Sequence, residues 1–224
     1  MSPNKTKSVN LQKAVIFDLG NVLVRVNNQA ALPHFQKHLA QKFDSKTLEN
    51  LLYGSMMKGT RTDAGKLHAD FHLGKLTMRK FHQHIVKTGY FSETLTFSEF
   101  QKYWSPPRFS MIDGTFKILQ KMKKHKRYLL SDTNESDFDF CVSAFPEIFA
   151  EFDEIFVSHK RGILKYESKA FMQVVETSGL AADLHVFIDD REDHVARARS
   201  LGMDGIVFKN SLGLEKELGN LGYL

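Results

Sequence analysis

Acidic, hydroxyl and lysine side chains follow the apolar segments of this sequence, at the points where the predicted strands end. They are Asp18 after AVIF at 14 to 17, Ser131 after YLL at 128 to 130, Lys165 beyond IFVS at 155 to 158, and the pair Asp189 and Asp190 after VFI at 186 to 188. Parallel strands end at one edge of a sheet, and ligands bind outside that edge. We therefore expect these residues to converge on one cleft.

The chemistry of such a cleft follows from its charges. Three carboxylates brought together either share protons or hold a cation, because each raises the pKa of the others. Oxygen ligands of this kind suit Mg²⁺, which binds a few carboxylates together with waters and a phosphate oxygen. A lysine and a hydroxyl at the same edge complement the remaining charge of a phosphoryl group. The set predicts Mg²⁺ as cofactor and a small phosphorylated molecule as substrate.

Asp18 is the predicted nucleophile of this cleft. A carboxylate that contacts both a metal and phosphorus can attack the phosphorus and form an aspartyl-phosphate. Gly20, two residues later, is expected to let the backbone turn tightly, so that its carbonyl serves as a metal ligand where a side chain would crowd. An apolar strand followed by Asp and Gly is by itself more often an ordinary turn, so this interpretation depends on the other segments.

The elements that must position these residues alternate along the chain. Short β-prone segments, including GIVF at 205 to 208, are separated by helical stretches such as SKAFMQVVETSG at 168 to 179 and EDHVARARSLG at 192 to 202. Both helical stretches end in glycine, as helix C-termini often do. The alternation predicts an α/β fold with a Rossmann-like, doubly wound parallel sheet.

Residues 27 to 105 break this alternation, because they have helical periodicity without strong strand signals. The helical stretches are ALPHFQKHLAQKF, KTLENLLYG, AGKLHADFHLG, TMRKFHQHIVKTG and FSEFQKYW, and SPP at 105 to 107 follows them. We interpret residues 27 to 105 as an all-helical insertion that covers the site. Residues 1 to 26 and 106 to 224 then form the α/β core.

Composition excludes several other classes of protein. The 224 residues contain one cysteine, Cys141, which rules out an internal disulfide framework and fits a cytoplasmic location. No apolar run approaches the roughly 20 residues of a membrane span, and the polar N-terminal MSPNKTKSVNLQ is expected to be a frayed leader without a secretory signal. The net charge of +5 suits an anionic substrate. The basic run KKHKR at 123 to 127 is expected to be a solvated helix end, since no nucleic-acid motif accompanies it.

Four motifs, in order, resemble those of the haloacid dehalogenase superfamily of aspartate-nucleophile hydrolases. They are FDLGN at 17 to 21, LLSDTN at 129 to 134, Lys165 in GILKYES, and FIDDRED at 187 to 193. The helical insertion is similar to the α-helical cap of that superfamily, and the DLGN variant resembles its sugar-1-phosphate phosphatases. The resemblance implies an enzyme that hydrolyses a phosphoric monoester.

The resemblance also implies a role for each acidic residue. Asp18 would be both nucleophile and metal ligand, with the carbonyl of Gly20 as a second ligand. Asp190 would bind Mg²⁺, and Asp189 would either bind the metal or support its ligands. Asp193 would orient a metal-bound water, although an acidic residue in the first turn of a helix is favoured in any case.

Ser131 and Lys165 would bind the phosphoryl group, and Lys165 would neutralise the phosphoaspartate. Asp132, where asparagine is usual, is counted with the substrate-binding residues, although a carboxylate would repel phosphate unless it points away. Tyr166 replaces the usual proline after the lysine. Gly20 stands where most phosphatases of the superfamily have an acid-base aspartate. We therefore expect either leaving groups that need little protonation or a proton donor from the helical insertion.

Two alternative functions stay open. In a metal-independent 2-haloacid dehalogenase, Asp18 would attack carbon, although the acidic pair in FIDD would repel a carboxylate substrate. A binding or regulatory protein without turnover is consistent with glycine at position 20. His68 and His72, spaced i, i+4, lack the carboxylate of a zinc-protease pattern and are expected to be exposed or half-buried.

Overall fold

The computed structural model describes residues 12 to 40, 42, 44 to 53 and 63 to 224. Its strands are β1 (Ala14–Phe17), β2 (Val24–Val26), β3 (Phe109–Met111), β4 (Lys126–Ser131), β5 (Glu154–Val157), β6 (His185–Asp189) and β7 (Asp204–Val207). Within the described residues, the main sheet has the order β5-β4-β1-β6-β7, and each neighbouring pair is parallel. The predicted α/β fold with a doubly wound parallel sheet is confirmed.

Helices surround the sheet and fill the interval between β2 and β3. They are α1 (Leu32–Gln36), α2 (Ser45–Tyr53), α3 (Asp63–His72), α4 (Met78–Lys87), α5 (Phe97–Trp104), α6 (Asp113–Lys121), α7 (Glu135–Ala144), α8 (Pro146–Phe149), α9 (Ser158–Arg161), α10 (Ser168–Ser178), α11 (Glu192–Ser200) and α12 (Ser211–Asn220). The predicted C-terminal glycine of α10 is present: Gly179 caps this helix with φ 68°.

The central strand β1 is buried on both faces, as its uninterrupted apolar sequence requires. Side chains alternate across a strand, so Val15 and Phe17 pack with α6, α7 and α12, whereas Ala14 and Ile16 pack with α10 and α11 on the other face. Two apolar layers therefore hold β1 in place. They fix the position of Asp18, the residue that follows this strand.

Helices α1 to α5 share a hydrophobic cluster of their own, and we call residues 31 to 104 the helical segment. Aromatic rings fill its centre: the Phe71 and Phe81 rings stack at 4.6 Å, and the Phe100 and Trp104 rings lie 5.0 Å apart. The aromatic residues of TFSEFQKYW that lie in this cluster are therefore packing residues. The predicted domain limits at residues 27 and 105 stay a prediction.

The structure corrects the sequence analysis at several elements. A two-stranded antiparallel ribbon of β2 and β3, which pairs Val24 with Met111, joins the two ends of the helical segment and was not predicted. Helix α1 ends at Gln36, because Leu39 forms a bridge with Phe91 instead of continuing the helix. Strand β4 begins at Lys126, inside the run KKHKR that the sequence predicts to be a helix end. The Lys126 N–H donates to Lys13 O, so this residue already pairs with the segment before β1.

Some predictions fall on residues outside the described part of the chain. Residues 1 to 11 of the expected leader MSPNKTKSVNLQ are outside the described part. Two residues of the predicted helix ALPHFQKHLAQKF and the glycine that ends KTLENLLYG are also outside it. Among the helices that the structure describes, none combines the length and apolar character needed to cross a bilayer.

Candidate active site

The carboxyl ends of the three middle strands bring the predicted residues together. Ser131 ends β4, Asp18 follows β1, and Asp189 ends β6. The Asp18 N–H donates to Ile188 O at 2.9 Å, which extends the pairing of β1 and β6 by one residue. One oxygen each of Asp18, Asp189 and Asp190 can be chosen so that all lie within 4.8 Å of one another. We call these three residues the acidic cluster.

Lys165 is buried between two members of the acidic cluster. Its Nζ lies 2.9 Å from Asp18 Oδ1 and 2.5 Å from Asp189 Oδ2. Burial alone would lower the pKa of Lys165, but the charges of Asp18 and Asp189 outweigh burial and raise this pKa above its ordinary value. Lys165 is therefore a permanent cation of the site.

Asp132 positions the loop that carries Lys165. Its two carboxylate oxygens accept from the Lys165 backbone N–H at 3.0 and 3.2 Å. The Asp132 carboxylate is thereby directed at the backbone of that loop. This orientation explains how an acidic residue can lie beside Ser131 without repelling a phosphate bound there. Its contact with a substrate stays a prediction.

Both oxygens of Asp189 are engaged by protein groups. Oδ1 accepts from the Arg191 N–H at 2.8 Å, and Oδ2 accepts from Lys165 and lies 3.0 Å from His194 Nδ1. Burial would raise the pKa of Asp189, but the Lys165 charge and the His194 hydrogen bond hold it well below its usual range. Asp189 is a fixed anion that orients Lys165.

Asp18 and Asp190 accept fewer hydrogen bonds from other residues than Asp189 does, and they are therefore better able to bind a cation. Burial raises the pKa of Asp18 to about 7, and Asp189 acts in the same direction while Lys165 opposes it. Burial and the charge of Asp189 also raise the pKa of Asp190. Three carboxylates facing one ammonium leave an excess of negative charge. The donor set therefore fits Mg²⁺, which would supply the missing positive charge.

The turn after Asp18 differs from the expectation for Gly20. The left-handed residue is Asn21, with φ 57°, and a Cβ on Gly20 would lie 3.4 Å from Val26 Cγ2, so neither a positive φ nor severe crowding requires glycine at position 20. Asn21 donates from Nδ2 to Asp190 Oδ2 at 3.1 Å and accepts from the Val26 N–H at 3.0 Å. No described residue donates a hydrogen bond to the Gly20 carbonyl, which leaves this oxygen free for a cation.

Two residues singled out in the sequence lie away from the acidic cluster. Asp193 pairs with Arg191 at 2.9 Å and is not a member of the cluster. Tyr166, beside Lys165, is an exposed side chain. Neither contributes to the arrangement of the carboxylates.

A cavity of about 210 Å³ separates the sheet edge from the helical segment. Its sheet side includes Gly20, Ser131 and Asp132, and its other side includes Tyr53, His68, His72, Trp104 and Arg108. Tyr53 Oη and Trp104 Nε1 are buried without a hydrogen-bond partner among the described residues. Buried polar atoms are nearly always partnered, so these two donors indicate a place for a ligand or water.

Arg108 is a buried cation at this cavity that sequence reasoning missed. Its Nη1 donates to Asp137 Oδ1 at 3.1 Å and to Trp104 O at 3.2 Å, and its Nε donates to Asn28 Oδ1 at 3.0 Å. The guanidinium carbon lies 4.1 Å from the centre of the Tyr53 ring. No spacing in the sequence signals this network, because its members come from separate elements.

Two further residues that contact the acidic cluster, Asn21 and His194, were also missed. The sequence indicates them weakly, since Asn21 is the last residue of FDLGN and His194 directly follows FIDDRED.

His68 and His72 line the cavity from α3. His68 is buried rather than exposed or half-buried, and burial lowers its pKa to about 4. Burial also lowers the pKa of His72. Within the described residues, neither histidine belongs to a group with the geometry of a metal site.

The chain resembles known proteins in both sequence and fold. No protein-family model matches the sequence. The chain is 25% identical to drimenol cyclase drtB of Aspergillus calidoustus, over 93% of this chain and 36% of that protein. It is 28% identical to the chloroplast flavin mononucleotide hydrolase 1 of Arabidopsis thaliana, over 51% of this chain and 46% of that protein. The chain thus spans between about a third and a half of the length of these relatives.

Solved structures match most of the chain. A predicted HAD-like family hydrolase from Porphyromonas gingivalis has a TM-score of 0.74 at 20% identity, with 94% of this chain and 97% of that chain covered. A HAD-family enzyme from Bacteroides thetaiotaomicron, in complex with magnesium and inorganic phosphate, has a TM-score of 0.71 at 20% identity, with 89% and 95% covered. The resemblance predicted from the four motifs is confirmed: this chain has the fold of the haloacid dehalogenase (HAD) family.

Proposed function

We propose that this protein is a Mg²⁺-dependent hydrolase that removes phosphate from a small phosphorylated molecule. The observation that supports it most is the acidic cluster at the end of the central strands, in which one oxygen of each carboxylate lies within 4.8 Å of the others and a buried lysine contacts two of the three. The bound magnesium and phosphate in the Bacteroides neighbour and the named activity of the flavin mononucleotide hydrolase point the same way. A sugar phosphate is the substrate that the DLGN motif suggests.

The metal would be held by Asp18, Asp190 and the carbonyl of Gly20. When bound, Mg²⁺ would supply positive charge that lowers the repulsion between a carboxylate and a phosphate. We assign Asp189 to support rather than to direct ligation, because both its oxygens already accept hydrogen bonds from the protein.

Asp18 attacks phosphorus in this proposal. The bond from phosphorus to the leaving oxygen breaks as the aspartyl-phosphate forms, and water then releases phosphate and restores Asp18. Lys165 fixes the orientation of Asp18 and balances its charge. Ser131, which ends β4 and lines the cavity, would bind a phosphoryl oxygen.

The helical segment would act as the cap that selects the substrate, with domain limits at residues 27 and 105. The cavity beside Ser131 would hold the leaving group. Its unpartnered donors, Tyr53 Oη and Trp104 Nε1, favour a leaving group that carries acceptor oxygens. Such a group includes the hydroxylated ring of a sugar.

Hydrolysis of a panel of phosphate monoesters, with and without Mg²⁺, tests this function in the wild-type protein and the variant Asp18→Asn. We expect activity that requires Mg²⁺ and falls by more than about 1,000-fold in the variant, because removal of a nucleophile is among the largest catalytic losses. Asp139→Asn is the matched control, since it makes the same change at an exposed position of α7, outside the acidic cluster.

Three results would contradict the proposal. Phosphatase activity that survives Asp18→Asn would exclude this nucleophile. Chloride release from 2-chloropropionate in the presence of EDTA would favour the dehalogenase. Mg²⁺ binding without turnover of any ester would favour a binding or regulatory protein.

A further inference from the structure

Hydrolysis of most phosphate esters requires a proton on the leaving oxygen. A positioned acid-base group contributes about 10² to 10⁴ in rate to such a step. Glycine at position 20 offers no ionisable side chain beside Asp18. We therefore expect the donor among the residues that line the cavity next to Ser131 and Gly20.

Most ionisable residues on the cavity wall are occupied or hold their proton too tightly. Asp132 accepts from the Lys165 backbone, and Asp137 accepts from Arg108 and Ser105. Arginine does not lose its proton in proteins. The remaining side chains are Tyr53, with a pKa raised by burial, Cys141, with a pKa raised by burial to about 12, and the two histidines of α3.

His72 has the open ring nitrogen that proton transfer requires. Its Nδ1 donates to His68 O at 2.9 Å, because a carbonyl can only accept. In the neutral ring, Nε2 therefore carries a lone pair, and none of the described residues forms a hydrogen bond with it. His68 is a poorer candidate, since it is more deeply buried than His72 and its Nε2 donates to Leu51 O at 3.1 Å.

Backbone contacts attach His72 to the loop that follows Ser131. His72 O lies 2.7 Å from Ser158 Oγ, which in turn accepts from the Thr133 N–H at 2.9 Å. Two residues later, the backbone of Gly74 is so close to α9 that an added Cβ would lie 2.2 Å from His159 O. These contacts fix the end of α3 against the part of the cavity wall that contains Ser131 and Thr133.

We infer that His72 is the catalytic acid-base residue of this protein, acting at Nε2 in place of a side chain at position 20. The inference rests on the proposed function. Protonated His72 gives its Nε2 proton to the leaving oxygen as the bond from that oxygen to phosphorus breaks and Asp18 binds phosphorus. Neutral His72 then takes a proton from the water that attacks the aspartyl-phosphate, and this step releases phosphate and regenerates both side chains.

The charges around His72 set the pH at which it can donate. Burial lowers its pKa and Arg108 acts in the same direction, whereas the His68 carbonyl, Asp137 and Asp132 oppose them. Hydrolysis of an ester with a basic leaving group should therefore decline as the pH rises through the pKa of His72. An ester whose leaving group needs no proton should lack that decline.

Phenyl phosphates whose substituents vary the acidity of the leaving phenol test this inference with the Mg²⁺-loaded protein. The variant is His72→Asn, whose amide can still donate to His68 O. We expect a loss of about 10² to 10⁴ for phenyl phosphate, a loss of less than about 10-fold for 4-nitrophenyl phosphate, and no alkaline decline for phenyl phosphate. His84→Asn, an exposed position on α4, is the matched control.

The outcomes separate this inference from the proposed function. Equal losses for both esters, or no loss, in an active variant overturn the role of His72 alone. That role is also overturned if Asp132→Asn, and not His72→Asn, changes the dependence on leaving-group acidity. Absence of ester hydrolysis by the wild-type protein overturns the proposed function and this inference with it. Retained turnover of 4-nitrophenyl phosphate shows that the variant is folded.

Discussion

Lys165 is the residue on which the charge balance of the acidic cluster depends. Its side chain is only 2% exposed, and its ammonium group contacts two carboxylates that are themselves shielded from water. Removal of one partner from a buried ion pair is strongly destabilising, because it leaves charge without compensation. The lysine therefore stabilises the protein as well as serving the proposed reaction.

We predict that Lys165→Met lowers the free energy of unfolding by about 3 to 5 kcal/mol in the absence of metal, because Asp18 and Asp189 lose their counter-charge. This decrease in the free energy of unfolding should become smaller as the pH falls, since a protonated Asp18 needs no cation. Mg²⁺ should restore part of the lost free energy of unfolding. Urea unfolding at several pH values, with and without Mg²⁺, measures these effects.

Lys169→Met is the control for this prediction, because Lys169 is exposed at the start of α10. It should change the free energy of unfolding by less than about 0.5 kcal/mol. A comparably small effect of Lys165→Met would show that the two carboxylates do not depend on this ammonium.

At the residue scale, the sequence was informative wherever a polar side chain follows an apolar strand. Asp18, Ser131 and Asp189 lie at strand ends, and the parallel sheet alone brings such positions to one edge. Arg108 could not be identified in this way, because its importance arises from contacts with residues of other elements. The sequence also did not predict that both oxygens of Asp189 accept hydrogen bonds from the protein.

The end of α3 shows how closely the helical segment contacts the core. Gly74 has φ 71°, which glycine adopts easily, and no side chain can fit between it and the backbone of His159. Gly89, after α4, has φ 78°, but an added Cβ there would meet nothing within 4 Å. A substitution at Gly89 therefore measures the cost of the positive φ alone, whereas a substitution at Gly74 measures that cost together with the cost of a clash.

We predict that Gly89→Ala lowers the free energy of unfolding by about 1 to 2 kcal/mol, which is the cost of the left-handed conformation. Gly74→Ala should cost more, because it adds a clash with the His159 carbonyl. It should also reduce ester hydrolysis, since it displaces His72. Urea unfolding and initial rates check both variants, and equal effects on stability would contradict the tight contact.

At the element scale, the long apolar strands and amphipathic helices could be predicted, whereas short elements held by distant partners could not. The β2-β3 ribbon has three residues on each side and joins positions 24 to 26 with 109 to 111. Its pairing depends on how the helical segment folds back on itself. No local pattern in either strand contains that information.

The Arg108–Asp137 pair joins distant parts of the molecule. Arg108 adjoins the end of the helical segment, and Asp137 lies on α7 against the sheet. Asp137 also accepts from Ser105 Oγ at 2.8 Å and from Asn134 Nδ2 at 2.9 Å. This buried network holds the helical segment at its position over the cavity.

We predict that Asp137→Asn destabilises the protein by about 3 to 5 kcal/mol, because Arg108 becomes a buried cation without a counter-ion. The KM for phosphate esters should rise as the cavity wall loosens. Asp139→Asn, an exposed position on the same helix, is the control and should leave both quantities unchanged. Thermal unfolding and steady-state kinetics measure the difference, and identical behaviour of the two variants would refute a joining role for the ion pair.

At the scale of the whole molecule, the sequence indicated a parallel sheet, a cleft at its edge and a helical insertion over that cleft, but not the shape of the cavity between them. The shape of this cavity depends on Tyr53, Trp104 and Arg108, whose relative positions follow from packing across the hydrophobic cluster of the helical segment. Packing of this kind leaves no periodic signal in a single sequence.

The order of the strands ties the assembly of the candidate site to the completion of folding. Strand β1, which Asp18 follows, lies between β4 and β6, and β6 begins only at residue 185. Contacts between segments this distant form slowly, since a long loop must close before they gain any energy. A nascent or truncated chain that lacks β6 and the residue after it also lacks Asp189 and Asp190, so it cannot assemble the acidic cluster. In the proposed function, turnover is therefore a measure of the fraction of molecules that have reached the native state.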